Sequence, residues 1–148
     1  LLDMLASGEL APPPDRIVMV GPLIAFRNRW VPWVWLLGPF RPASYAPLQQ
    51  LADLVGRVRR ELSSGILVDP DFKLLVVQSR GDPTCDPAGI ERLRNGFRGG
   101  EVQVEEIVSH RHMPVAMGDE EGPWTDVERA ERQRILRAIS VFLSGSAS

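Results

Sequence analysis

Lys73-Leu74-Leu75-Val76-Val77-Gln78 runs directly into Ser79-Arg80-Gly81-Asp82-Pro83-Thr84. The first six residues hold a continuous apolar run without polar alternation, entered from the turn signal Asp69-Pro70-Asp71 and left through a Gly-Asp-Pro loop. Such a run suits a strand covered on both faces, as in a parallel sheet. Ile17-Val18-Met19-Val20, closed by Gly21-Pro22, reads the same way. Val102 to Val108 supplies a third strand, with Val102 and Val104 on one face before the pattern shifts.

Between and after these strands the period changes from 2 to 3.6. Leu48, Leu51, Val55, Val58 and Leu62 form one apolar stripe on a helix of about five turns, with Ser44 suited to its N-cap and Gly65 to its stop. Asp86 and Pro87 open a short helix whose inner face is Ile90, Leu93 and Phe97, ended by Gly99-Gly100. Thr125 and Glu128 have the spacing of a capping box for a final helix, whose buried positions include Val127, Ile135, Ala138, Ile139 and Phe142. From residue 73 onward the order is strand, helix, strand, helix, which predicts an α/β architecture of three parallel strands with flanking helices. Residues 1–8 read as a helix closed at Gly8, Pro12-Pro13-Pro14 as an extended linker, and Ser144 to Ser148 as a frayed tail. Residues 23–42, with Phe26, Trp30, Trp33, Trp35 and Phe40, fit neither period and read as a lid-like excursion.

Composition narrows the functional classes. The chain has 148 residues, 17 Lys+Arg against 19 Asp+Glu and a net charge of −2, so it carries no electrostatic footprint for nucleic acid. Sixteen of the basic residues are arginine and one is Lys73, a bias better assigned to genome composition than to function. Cys85 stands alone, which removes an intrachain disulfide or a cysteine-rich zinc site. The longest apolar stretch, Trp30 to Phe40, is eleven residues with two prolines. It is too short for a membrane span, which needs about 20 residues. Leu1-Leu2-Asp3-Met4-Leu5 shows no initiator methionine and no leader; it reads as the last turns of a helix already under way, as if cut, and the location expected is cytoplasmic.

In an open parallel sheet, ligands bind beyond the carboxyl ends of the strands. Asp82 and Asp86 follow the second strand, and His110 and His112 follow the third. Strands joined by one crossover are usually neighbours, so these loops should emerge side by side. A carboxylate beside an imidazole fixes its tautomer and stabilises the imidazolium, which supplies two members of a nucleophilic triad. Competing readings attach to the same residues. His110 and His112 could hold a metal with Asp119 or Glu120, but no third nitrogen or sulfur ligand exists, so no metal is expected. Cys85 could act as a nucleophile with His112 or simply be a small buried thiol. Arg57, Arg59 and Arg60 could bind an anion or form the wet face of their helix. Asp119-Glu120-Glu121 reads as a solvated loop. Trp30, Trp33 and Trp35 could line an acyl-binding site or pack the excursion onto the core.

The segment Val76 to Thr84, followed by Val104 to Ser109, His112, Asp126-Val127-Glu128-Arg129 and Phe142-Leu143, resembles the C-terminal half of an α/β-hydrolase. It is most similar to the carboxylesterase, monoacylglycerol-lipase and serine-aminopeptidase-like branch. Arg16 to Pro22 resembles that family's sixth strand, and residues 23–65 its inserted cap. The resemblance implies a partial hydrolase core over 1–22 and 66–148, with a mainly helical cap over 23–65. It assigns Asp82 as the triad acid and His112 as the base. His110 remains an alternative, because the family commonly shows Ser-x-His where this chain has Ser109-x-x-His112. It further implies hydrolysis of a small apolar or lipid-like carboxylic ester without a cofactor, with Trp30, Trp33 and Trp35 contacting the acyl group.

One departure is decisive for the expected activity. The family's nucleophile stands in a G-x-S-x-G elbow, and none of the ten serines here has that context. The nucleophile, the oxyanion-hole donors and five strands are then expected upstream of Leu1, and the chain alone should be inactive. The expected partner is that N-terminal half, or a second copy associating through the uncovered edge of Ile17 to Val20. The rival is a non-catalytic α/β binding or interaction domain derived from a degenerate hydrolase, in which Asp82 and His112 need not meet.

Overall fold

The computed structural model describes residues 14–22, 46–82, 85–111 and 123–145, with backbone alone for 46–49, 51 and 52. Three helices and five strands lie in these residues: β1 (Arg16–Val20), α1 (Ala46–Ser64), β2 (Ile66–Leu67), β3 (Lys73–Ser79), α2 (Ala88–Gly96), β4 (Phe97–Arg98), β5 (Glu101–Ile107) and α3 (Asp126–Ser144). β1, β3 and β5 form a parallel sheet in the order β1-β3-β5, and β2 pairs in parallel with β4. The chain is thus α/β with three parallel strands in one sheet. No helix among the described residues is long and apolar enough to cross a membrane.

Two compact units divide these elements. One contains, among the described residues, 46–67 and 85–98; the other contains 14–22, 68–82, 99–111 and 123–145. In the first, α1 turns Val55, Val58 and Leu62 inward, each less than a tenth exposed, as the apolar stripe predicts. Leu48 and Leu51, the first two positions of that stripe, lie outside the described side chains, as does Ser44. Gly65 stops the helix at φ +86° while its N–H still donates to Glu61 O at 3.0 Å. α2 packs on α1 where Gly96 meets Leu62: a Cβ there would lie 2.6 Å from Leu62 Cδ2 and 3.0 Å from its carbonyl. Phe97, expected on the inner face of α2, instead opens the short β2–β4 ladder opposite Ile66. The helix ends one residue too early to hold it.

In the second unit β3 is the centre. Leu74 and Val76 on one face and Leu75 and Val77 on the other are all at most 2% exposed, which is what the unbroken apolar run requires. The register places Val20 opposite Val77 on one side and Ser79 opposite Ile107 on the other. β1 and β5 are less enclosed: only Ile17 of β1 and Ile107 of β5 are buried. α3 covers one face with Ile135 and Phe142, which cluster with Leu75, Val77 and Ile107. Its capping box forms as spaced: Thr125 Oγ1 accepts from Glu128 N at 3.1 Å, and Glu128 Oε2 accepts from Thr125 N at 3.1 Å. At the other end Gly145 takes φ +73°, and the Arg16 guanidinium from β1 donates to Phe142 O.

Val127 corrects the expected burial pattern, being 63% exposed. The inward stripe of α3 runs instead through Glu128, Glu131, Ile135, Ala138, Ile139 and Phe142, and Val127 stands about 100° round the helix from Glu128. Two carboxylates therefore occupy inward positions in the first turns. They face a polar end of the sheet, and that end is where the candidate site lies.

Candidate functional site

The carboxyl ends of β3 and β5 are stitched together by short hydrogen bonds. Arg80 N donates to Ile107 O at 3.0 Å, and Gly81 N donates to Ser109 O at 2.9 Å. The Ser79 hydroxyl donates to the same Ser109 carbonyl at 2.5 Å. Ser79 and Ser109 are both buried, so these hydroxyls satisfy the interior rather than water. The two loops do emerge side by side, as expected of neighbouring parallel strands.

Asp82 lies immediately beyond this seam and is 1% exposed. Its N–H donates to Ser79 O at 3.3 Å, closing a tight turn at the strand end. Gln78, itself 6% exposed, donates from Nε2 to Asp82 Oδ2 at 3.3 Å and to Ser79 O at 3.2 Å. A buried carboxylate is costly unless hydrogen-bonded, and the amide of Gln78 meets part of that need. His110 follows the seam on the β5 side and is exposed. Its imidazole lies against Gly81: a Cβ at that glycine would collide with His110 Nδ1 and lie 2.6 Å from Ser109 O. Only a residue without a side chain lets the ring and the Ser109 carbonyl come this close.

A second network holds the β5 loop to the start of α3. Ser109 Oγ donates to Glu128 Oε1 at 3.2 Å and accepts from Arg111 N at 3.1 Å. Arg111 Nε stands 3.6 Å from Glu128 Oε1, and its guanidinium lies 4.4 Å from the centroid of the buried Trp124 ring, with Arg132 at 5.6 Å. Glu128 is held below the ordinary carboxylate range, first by the backbone N–H of Thr125 and then by the hydroxyls of Thr125 and Ser109 and the charge of Arg111, with burial acting in opposition. Further out, Arg80 pairs with Glu106 at 2.5 Å and Arg134 with Glu105 at 2.7 Å. The carboxylate of Glu106 raises the Arg80 pKa, while Glu131 and Glu105 raise that of Arg134.

The other candidates separate clearly. Asp86 accepts from Ala88 N at 3.0 Å and so serves the start of α2. Cys85 is 2% exposed, and its segment groups with the other compact unit rather than with Asp82. Arg57, Arg59 and Arg60 lie on the exposed side of α1. His112, the acidic stretch Asp119-Glu120-Glu121, and Trp30, Trp33 and Trp35 lie outside the described residues. No group of three His, Cys, Asp or Glu among the described residues is arranged to hold a metal.

Gln78 and Gly81, and the part that Glu128 plays beyond its capping box, escape a reading of the sequence. Their signals were a lone polar residue in an apolar strand, a glycine before the aspartate, and a capping-box glutamate, each with an ordinary local explanation. Comparison with protein-family models, with curated proteins and with solved structures returned no match to the chain, so the site is read from its own residues.

Proposed function

We propose that this chain is the portion of an α/β-hydrolase-type serine hydrolase that carries the triad acid and histidine, and that the complete site cleaves a carboxylic ester with an apolar, lipid-like acyl group. One observation supports the reading above others: a fully buried carboxylate, Asp82, sits at the end of β3 beside the Ser109-His110-Arg111 turn that leads directly to His112. In this role Asp82 accepts the Nδ1 proton of His112 and fixes its tautomer. Nε2 then takes the proton of an attacking serine hydroxyl and returns it to the leaving alkoxide, after which water completes deacylation. No serine of this chain stands in an elbow motif, so the nucleophile comes from outside the sequence. His110 is the second candidate for the base, favoured by the contact of its ring with Gly81.

The chain has two histidines, so both imidazoles can be followed by ¹⁵N resonance as pH is varied. If either imidazole is paired with Asp82, the carboxylate favours its charged form, so that resonance is expected to report a titration that depends on Asp82. That titration is expected to move to lower pH in Asp82→Asn. If neither imidazole responds to that substitution, the pairing is refuted and the non-catalytic binding-domain reading takes its place.

A further inference from the structure

Among the described residues both outer strands of the sheet are edges, since β1 and β5 each pair with β3 alone. The two edges are finished differently. β5 carries Glu101, Glu105 and Glu106, held along it by Lys73, Arg134 and Arg80. Charge of one sign strung along an edge keeps a second copy from pairing there. β1 lacks that protection. Its residues Arg16-Ile17-Val18-Met19-Val20 keep a continuous register with β3, without a bulge, and carry no acid. The guanidinium of Arg16 is turned back to Phe142 O at the end of α3.

The bonds to β3 fix which backbone groups β1 presents outward. Gly21 N donates to Val77 O at 2.8 Å, and Asp15 O accepts from Lys73 N at 2.8 Å. Alternate residues of a strand face the same neighbour, so Asp15, Ile17, Met19 and Gly21 serve β3. Arg16, Val18 and Val20 then turn both N–H and C=O away from it. The side chains of Val18 and Val20 pack against the cluster under α3 and stay only half-buried.

This edge complements itself. Set antiparallel about a two-fold axis through Val18, two copies oppose Val18 to Val18, Arg16 to Val20 and Ile17 to Met19. Residues 16, 18 and 20 then fall on the hydrogen-bonded pairs, whose members exchange both bonds, and residues 17 and 19 on the others. Apolar side chains meet apolar ones, and the two Arg16 residues lie at opposite ends of the ladder.

We propose that two copies of this chain join through β1, as an antiparallel pair that continues the sheet across a two-fold axis. The proposal is independent of the acid–histidine reading of the site. A ladder this short is small beside the roughly 1,200–2,000 Å² of a standard stable interface, so the dimer is expected to dissociate on dilution.

Sedimentation velocity of the full chain over a concentration series tests the proposal. The mass is expected to rise from one chain toward two and no further, because a two-fold contact closes on itself. Val18→Pro removes an outward N–H and spares the bonds to β3, and Met19→Lys brings a cation into the ladder from each copy. Each is expected to weaken association by about tenfold or more, with a dispersed amide spectrum reporting an intact fold. On β5, Glu101 N donates to Phe72 O and Ile107 O accepts from Arg80 N, so Val104 likewise faces outward. Val104→Pro is expected to leave association unchanged. A chain that is monomeric at every concentration overturns the proposal. So does a dimer that either folded β1 variant leaves intact, one that Val104→Pro weakens as much, or one that grows beyond two copies. Should Val18→Pro fail to fold, Met19→Lys decides alone.

Discussion

The ends of β3 and β5 carry the two halves of the candidate site, and they are built differently. Asp82 follows a strand enclosed on both faces, is 1% exposed, donates its N–H to Ser79 within its own turn and accepts from Gln78. His110 ends an edge strand, is exposed, and is held through its neighbours: Ser109 against Gly81 and Ser79, and Arg111 and Ser109 against Glu128. The interior fixes Asp82, whereas a lattice of surface charge and capping interactions fixes the Ser109–Arg111 turn. Under the proposed function, the triad acid would keep one orientation through a reaction cycle, and the base would exchange protons with groups that come and go. Burial suits the first task and a tethered, solvent-facing loop suits the second.

Three substitutions separate these dependencies. Ile135→Ala empties the centre of the cluster beneath both strands and is expected to cost about 2–5 kcal/mol, read as a lowered denaturation midpoint. Both halves of the site should loosen together. Gly81→Ala attacks the seam between them, driving a methyl group into the Ser109 carbonyl and the His110 ring. The expected loss is about 1–3 kcal/mol, accompanied by displaced Ser109 and His110 resonances. A stable Gly81→Ala protein with unmoved resonances would show that the two strand ends are not in close contact.

Thr125→Ala acts on the β5 side alone, with an expected loss of about 1 kcal/mol from the capping box. Its effect should also change with pH. The pKa of Glu128 is lower in the folded chain than in the unfolded one, so its contribution is full above the unfolded carboxylate value and is lost as pH falls through the folded value. Acid should therefore release the Ser109–Arg111 turn before it disturbs the apolar cluster of β3. Thr125→Ala removes the hydroxyl's share of that depression but leaves the larger share, from the Thr125 backbone N–H, so the acid transition should shift upward without disappearing. A transition that touches β3 and β5 resonances simultaneously would erase the distinction between the two ends.

Much of the architecture was legible in sequence. The apolar runs at Ile17–Val20 and Lys73–Gln78, the stripe through Val55, Val58 and Leu62, and the Thr125–Glu128 spacing each encode a local decision that the fold keeps. The placement of Asp82 beside the β5 loop was legible too, because adjacency of parallel strands follows from topology rules. What escaped is non-local. Ser79 meets Ser109 thirty residues away, and no periodicity records that meeting. Gly81 owes its identity to a ring from another strand, and Val127 lost its expected burial because Glu128 and Glu131 were needed at a polar strand end. The two-residue β2–β4 ladder is too short to leave a pattern.

The bond from Arg16 to Phe142 spans 126 positions of chain. It joins the first strand of the sheet to the C-terminal turn of α3, where Gly145 lets the guanidinium approach. A ribosome releases Arg16 long before Phe142, so this one bond cannot form until the far end of α3 has been made. During that interval β1 can pair with β3 but lacks its latch to α3, and a chaperone or a partner strand has that time in which to find it.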